Sequence, residues 1–290
     1  MRVIWLAAAL QAAVIGSVSM PAARAEPAPS TKADSTLQFV RGGNVVRSMD
    51  RAELATACDA RDVAIEDPYY GKTMRYRACP LARVLEIGFD ESDDELRKED
   101  FLLRARDGYV RPSTGAALLE PGGYLALADA DRAHGDDPGF PPIDRRQVDP
   151  GPYYMVWSEE DQRDPHEHPW PYQLVTIEIA ALESQYPHIA PTGAAPDSAA
   201  RKGFDIFKNE CIACHAVNGE GGKVGPDLNV PQSIVEYRPA AQIREYVRNP
   251  QSFRYTTMPA HPHLSDAQLD QLVAYFRAMS ALKHDPGKAS

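Results

Sequence analysis

The spacing of apolar positions divides this 290-residue chain into a strand-rich first part and a helical last part. In the first part, LQFVRGGNVVRS predicts two short strands around a Gly-Gly turn, and YYMVWS and YQLVTIEIA are β-rich runs. Short helical patterns lie between them in MDRAELATA and LARVLEIG, each with one apolar face. The pattern predicts a mixed, strand-rich α+β domain over residues 36–185.

The pattern becomes helical after residue 198. A first helix is predicted from Asp197 or Ser198 to about Asn209, and the tetrapeptide Ser265-Asp266-Ala267-Gln268 is a capping box that begins the last helix. One apolar stripe follows the capping box, formed by Leu269, Leu272, Val273, Phe276 and Met279. Between these helices the chain is rich in Gly and Pro, so an all-α domain over residues 199–283 needs something besides side chains in its centre.

The joining segments differ in composition from both domains. Residues 186–198, YPHIAPTGAAPDS, contain three prolines and several small residues, which is typical of a linker. Residues 26–35 are rich in Ala, Pro and Ser and predict a flexible N-terminal segment. Residues 284–290 are predicted to be a tail.

Residues 1–25 have the order of a secretory signal peptide. Arg2 precedes an apolar run to about Val18, and Ala23-Arg24-Ala25 is a small-residue cleavage site. A membrane anchor is the alternative, but the run is short for a span of about 20 residues. Without paired arginines, the segment indicates the general export route, which carries unfolded chains. We therefore expect a periplasmic protein with no membrane span after processing.

The formal net charge is −10, and the acidic excess lies before residue 197. Because binding to phosphates needs a basic surface, nucleic acid is not an expected partner. Solubility explains the charge most simply, and steering of a basic partner is the alternative.

Cys211-Ile212-Ala213-Cys214-His215 is C-x-x-C-H, the attachment motif of a c-type haem. The two thiols bond to two vinyl groups on one edge of the porphyrin, and His215 ligates the iron. A redox C-x-x-C would not need the histidine, and a zinc site would need a second Cys or His pair, which is absent at suitable spacing. We expect one covalent haem c.

Met258, in the sequence Thr256-Thr257-Met258-Pro259, is the favoured second axial ligand of the iron. It lies in a predicted loop before the last helix, whereas Met279 lies on the apolar stripe and is predicted core. His261 and His263 are the competitors, since imidazole also ligates haem iron. Thioether ligation raises the reduction potential and suits electron transfer, whereas two imidazoles would lower it.

The last third of the chain resembles a class I, mitochondrial-type cytochrome c domain. The shared residues are Gly203, Phe207, the C-x-x-C-H motif, Gly225-Pro226-Asp227-Leu228, Thr257-Met258-Pro259 and Tyr275-Phe276. The resemblance implies that Gly203 and Phe207 pack against Tyr275. It also implies that the Pro226 carbonyl accepts a hydrogen bond from the His215 ring and so fixes its tautomer.

The first domain is similar, through loose motifs, to the molybdopterin-binding domain of the sulfite oxidase group. The stretches DPYYGKTMRYRACPLARVLEIG and DFLLRARDGYVRP carry this similarity. In that group a cysteine ligates molybdenum before the Pro-Leu segment, and Cys58 is the candidate at that place. The export route, the short domain and the lack of basic, glycine-rich loops argue against a bound cofactor. We expect the fold without it.

Cys58 and Cys79 form the second pair of cysteines. An oxidising compartment favours a disulfide between them, with two free thiols or a metal-ligating Cys58 as alternatives. His166 and His168, with Glu167 between them, could hold copper or zinc, although a proline-rich loop of this kind is more typical of a solvated turn.

The sequence predicts a periplasmic c-type cytochrome that carries single electrons, with the first domain docking a redox partner. One alternative is an oxidoreductase whose first domain oxidises a small substrate at a metal centre and passes electrons to its own haem. Another is a haem-based redox or ligand sensor.

Overall fold

A computed structural model of the protein describes residues 36–132, 139–143, 147–165 and 167–287. The predicted signal peptide and the flexible segment after it lie outside the described residues. Within the described ranges, no helix has the length and apolar character needed to cross a membrane.

Two sheets and one short pair contain the strands. The strands are β1 (Leu37–Arg41), β2 (Asn44–Met49), β3 (Arg61–Asp67), β4 (Lys72–Pro80), β5 (Asp100–Ala105), β6 (Val110–Thr114), β7 (Gly123–Asp129), β8 (Tyr154–Trp157), β9 (Leu174–Ile179), β10 (Ala216–Val217) and β11 (Glu220–Gly221). The five-stranded sheet has the order β2-β1-β9-β5-β6, the four-stranded sheet has the order β3-β4-β7-β8, and β10 pairs with β11. The pairing of β1 with β9 is parallel, and the others are antiparallel.

Short helices accompany the sheets, and longer ones follow them. The α-helices are α1 (Arg51–Ala57), α2 (Leu81–Phe89), α3 (Asp93–Leu96), α4 (Gly115–Leu118), α5 (Leu182–Gln185), α6 (Ala199–Ile206), α7 (Ile234–Tyr237), α8 (Ala240–Arg248) and α9 (Asp266–Ser280). A strand-rich first domain followed by a helical domain confirms the predicted fold class. The described residues of both domains nevertheless cluster as one compact unit.

Local signals explain the elements at the start of the chain. Gly42 and Gly43, both with positive φ, turn the chain between β1 and β2, where glycine is free of the steric penalty that other residues pay. Asp50 caps α1, and its side chain and that of Glu53 form a capping box. The predicted hairpin and the helices in MDRAELATA and LARVLEIG are confirmed.

Aromatic side chains fill the core of the first domain. Four large aromatic side chains are fully buried there: Tyr153, Tyr154, Trp157 and Trp170. The carboxylate of Asp67 is also buried, and it accepts hydrogen bonds from the hydroxyls of Tyr76 and Tyr154 at 2.7 and 2.9 Å. These bonds offset the cost of burying the carboxylate. Tyr172 is half-buried at the edge of these aromatic side chains.

A disulfide joins Cys58, at the C-terminal end of α1, to Cys79 on β4. The Cα atoms are 5.7 Å apart. The bond ties a helix to the four-stranded sheet and restricts the unfolded chain. It also takes up the Cys58 thiol, which is therefore not available as a metal ligand.

The second core forms where α6 crosses α9. A Cβ on Gly203 would lie 2.0 Å from the Gln271 carbonyl oxygen and 2.8 Å from Tyr275 Cβ, so glycine permits the close approach. The Phe207 and Tyr275 rings are 5.2 Å apart. The predicted packing of Gly203 and Phe207 against Tyr275 is confirmed. The capping box of α9 is also present, and Met279 is buried core as predicted.

The segment predicted as a linker, residues 186–198, differs from that expectation in its first half. Ile189 is fully buried in the second core, and the Tyr275 hydroxyl donates to its carbonyl at 2.8 Å. The Asn218 side chain donates to the His188 carbonyl at 2.8 Å. In the predicted tail, the His284 ring stacks on His188 with centroids 3.7 Å apart. Hydrogen bonds to the His188 and Ile189 carbonyls, and the buried Ile189 side chain, fix the position of this segment. Its composition alone predicts a flexible linker.

Candidate functional site

The C-x-x-C-H motif continues the first helix of the second domain. After α6 the chain makes a π-helical turn over Phe207–Cys211. The amides of Ile212 and His215 then donate to the carbonyls of Phe207 and Cys211 at 2.9 and 3.0 Å. The helical turns fix the spacing of the two thiols and the histidine, because consecutive backbone hydrogen bonds hold that stretch.

Cys211 and Cys214 are both free thiols in the structure. Burial raises the pKa of the Cys211 thiol to about 12 and that of the Cys214 thiol to about 11. Both are therefore protonated at neutral pH. A redox C-x-x-C depends on a thiol with a depressed pKa, so this environment disfavours that alternative.

His215 is oriented by the backbone at Pro226. Its Nδ1 lies 2.8 Å from the Pro226 carbonyl oxygen, and a carbonyl can only accept, so Nδ1 carries the proton and Nε2 keeps its lone pair. Burial lowers the pKa of His215 and favours the neutral imidazole, the form that ligates metals. A Cβ on Gly225 would lie 2.4 Å from His215 Cε1, so a side chain at this position would clash with the imidazole ring.

A cavity of about 830 Å³ lies between this motif and the first domain. The second domain lines it with Cys214, Thr257, Pro259 and His261, and the first domain lines it with Tyr69, Tyr109, Arg111 and Tyr172. Pockets for cofactors usually measure about 300–1,000 Å³ and are rich in apolar and aromatic groups. Together with the free thiols and the available His215 Nε2, the cavity fits a covalently attached haem.

Met258 lies beside this cavity. Its neighbours Thr257 and Pro259 line the cavity, and Met258 itself is half-buried against the second core. Two hydrogen bonds fix its backbone: the Met258 amide donates to Thr256 Oγ1 at 3.2 Å, and Gln251 Nε2 donates to the Met258 carbonyl at 3.0 Å. The loop is thus held in place around the predicted ligand.

The competing ligands, His261 and His263, both contact a carboxylate. His261 Nδ1 and His263 Nε2 lie 3.1 and 3.3 Å from the same oxygen, Glu210 Oε2. His261 is buried and lines the cavity, whereas His263 is exposed. The assignment of Met258 as the second iron ligand stays a prediction.

The first domain touches the haem-attachment motif directly. The amide of Val110 donates to the Ala213 carbonyl at 3.0 Å, and the amide of Lys223 donates to the Gly108 carbonyl at 2.9 Å. The dipeptide Asp107-Gly108 is typical of a turn between strands, and the sequence did not predict this contact. The one signal for it was an aromatic residue, Tyr109, immediately after an Asp-Gly turn.

The loop with the proposed copper or zinc ligands is only partly described. His166 lies outside the described residues. His168 Nε2 lies 2.9 Å from Glu120 Oε2, and the His168 ring packs at 5.1 Å from Trp157. The contacts of His168 are those of a side chain with a structural role.

Comparison with known proteins bears on the second domain. The family model described as cytochrome c matches residues 200–280. The chain is 31% identical over 94 residues to cytochrome c oxidase subunit 2 of Alkalihalophilus pseudofirmus, covering 30% of this chain and 28% of that protein. It is 39% identical over 93 residues to lupanine 17-hydroxylase [cytochrome c] of a Pseudomonas species, covering 31% of this chain and 12% of that protein. The chain thus spans well under a third of either relative's length.

The region that matches the family model extends from α6 to α9 and contains the C-x-x-C-H motif. Both relatives align over a segment of about the same length, as a shared domain would. The C-terminal part of this chain is therefore a cytochrome c domain, a haem-binding electron-transfer module.

Proposed function

We propose that this protein is a periplasmic electron carrier with one haem c attached at Cys211 and Cys214. The observation that carries the proposal is the His215 ring, held on the Pro226 carbonyl with Nε2 available, directly after Cys214, which lines a cavity of about 830 Å³. When bound, the haem supplies a one-electron iron couple. No substrate bond is made or broken.

Each residue of the site then has a distinct part. The Cys211 and Cys214 thiols would hold the porphyrin edge as thioethers, and His215 and Met258 would ligate the iron. The Pro226 carbonyl positions the His215 ring.

The first domain docks a redox partner in this proposal, as a relative of the molybdopterin-binding fold without that cofactor. Two observations support it. The disulfide takes up Cys58, the position at which a molybdenum ligand was considered, and it fits an oxidising compartment such as the periplasm. The turn at Gly108 and Val110 touches the haem-attachment motif, so a partner bound to the first domain lies near the route of the electron.

Replacing Met258 with Ala tests the ligand assignment. The variant is expected to keep covalent haem, lower the midpoint potential and bind carbon monoxide rapidly in the ferrous state, because the thioether no longer occupies the iron. Redox titration and visible spectra measure this. Met279→Leu is the matched control, since Met279 is buried core and the change conserves volume. An unchanged ligand spectrum and potential in Met258→Ala would show that the assignment is wrong.

The second candidate is an oxidoreductase whose first domain carries its own metal centre. The cavity favours it, because Tyr109, Arg111 and Tyr172 of the first domain line the same space as Cys214. Elemental analysis of the purified protein separates the two candidates. Iron without molybdenum supports the electron carrier, and stoichiometric molybdenum besides iron supports the oxidoreductase.

A further inference from the structure

Three potential metal ligands converge at the end of the turn that carries the cysteines. They are Glu210, directly before Cys211, and His261 and His263 in the loop before α9. Their ligand atoms all lie within 4.8 Å of one another. Neither the predicted haem attachment nor the favoured iron ligation uses these side chains.

The donor set is one that divalent transition metals prefer. Two imidazoles and one carboxylate suit Zn²⁺ and Cu²⁺. With metal–ligand distances of about 2.0–2.2 Å in a tetrahedral site, ligand atoms lie roughly 3.4 Å apart. Glu210 Oε2 already lies 3.1 Å from His261 Nδ1 and 3.3 Å from His263 Nε2. Small side-chain rotations are enough to bring all three ligand atoms to the distances of a tetrahedral metal site.

The loop is also organised before any ion binds. His261 is buried, and its amide donates to the Val247 carbonyl at 3.1 Å. Pro262 between the histidines restricts the backbone, which lowers the entropy that binding would cost.

Charge and access suit a cation as well. Glu210 brings a carboxylate to the group, and a carboxylate oxygen is a ligand that Zn²⁺ accepts. The His263 side chain is 44% exposed, which opens one side of the cluster to water. Water can complete the coordination of an ion held by three protein ligands.

We propose that Glu210, His261 and His263 bind one divalent transition-metal ion, separate from the haem iron. The alternative is that two imidazoles only share hydrogen bonds with one carboxylate. The proposal goes beyond electron transfer by the haem, and it rests on the proposed function in one respect: Met258, not His261 or His263, is the second iron ligand.

Titration of the full-length, haem-loaded protein with Zn²⁺ by calorimetry is the test, because Zn²⁺ does not exchange electrons with haem iron. One Zn²⁺ is expected to bind per chain. His263→Asn and Glu210→Gln are each expected to weaken binding by more than about 100-fold, since even loss of a group behind a metal ligand costs about 10–100-fold. His263 is exposed, so its replacement is expected to leave the fold intact. Circular dichroism and the haem spectrum check this.

His188→Asn is the matched control. His188 is similarly exposed at 42% and also contacts a carboxylate, Glu220, but it does not belong to a three-ligand group among the described residues. This variant is expected to bind Zn²⁺ like the unmodified protein. Absence of saturable Zn²⁺ binding, or equal binding by His263→Asn and the unmodified protein, would overturn the proposal.

Discussion

The two domains differ in what occupies their centres. In the first, buried side chains of two sheets and α2 form a continuous core, and a disulfide braces it. In the second, a smaller core around α6 and α9 lies beside a cavity that the C-x-x-C-H motif lines. The first domain can therefore fold on its own side chains, whereas the second shares its stability with the group it binds. Four substitutions test this difference, in order of decreasing expected effect.

Replacing both Cys211 and Cys214 with Ala should have the largest effect. Covalent haem is lost, and the second domain loses more than about 4 kcal/mol of stability, the linkage expected for a ligand present far above its dissociation constant. Hydrogen exchange read by mass spectrometry should show lower protection over residues 199–283 and unchanged protection over residues 36–185. Equal loss of protection in both domains would contradict the comparison.

Replacing Cys58 and Cys79 with Ala should destabilise the first domain by about 3 kcal/mol, because the unfolded chain regains the freedom that the disulfide removes. Denaturant unfolding followed by tryptophan fluorescence measures the loss, since Trp157 and Trp170 lie in that core. The haem spectrum serves as the internal control and should not change. A simultaneous loss of the haem spectrum would mean that the two domains unfold as one.

Gly203→Ala should destabilise the second domain by about 1–3 kcal/mol, because the added methyl group would meet the Gln271 carbonyl in a packed crossing. Thermal unfolding followed at the haem absorption band measures it. Ala267→Ser is the control, since Ala267 is exposed on α9. A Gly203→Ala variant as stable as this control would show that α6 can shift away from α9 at little cost.

Arg111→Ala should have the smallest effect. Arg111 Nη1 donates to the Asn209 carbonyl at 2.7 Å, a contact between the domains, and its loss should cost about 0.5–1.5 kcal/mol of coupling. The measurement is the difference between the midpoints at which the first and the second domain unfold. Arg97→Ala is the control, since Arg97 donates to the Leu119 carbonyl within the first domain. A larger difference between the midpoints in Arg97→Ala than in Arg111→Ala would mean that the Arg111 hydrogen bond does not couple the two domains.

Much of the fold was predictable because its signals are local. The Gly-Gly turn, the capping box of α9 and the apolar stripe behind it all depend on neighbours within a few residues. Local signals for α8 are weaker. It follows Pro239 without a side-chain cap, and only Ile243 and Val247 are buried on it.

The sequence by itself determined the two-part architecture and the C-x-x-C-H motif, because spacing along the chain encodes both of them. The approach of α6 to α9 at Gly203 was expected from the resemblance to cytochrome c domains. Only the tertiary structure decided that Ile189 anchors a proline-rich segment and that the turn at Gly108 meets the haem-attachment motif. It also decided that Glu210 meets His261 across 51 positions of sequence. The physical reason is that such contacts depend on how separate elements pack, and composition and periodicity do not specify which distant surfaces meet.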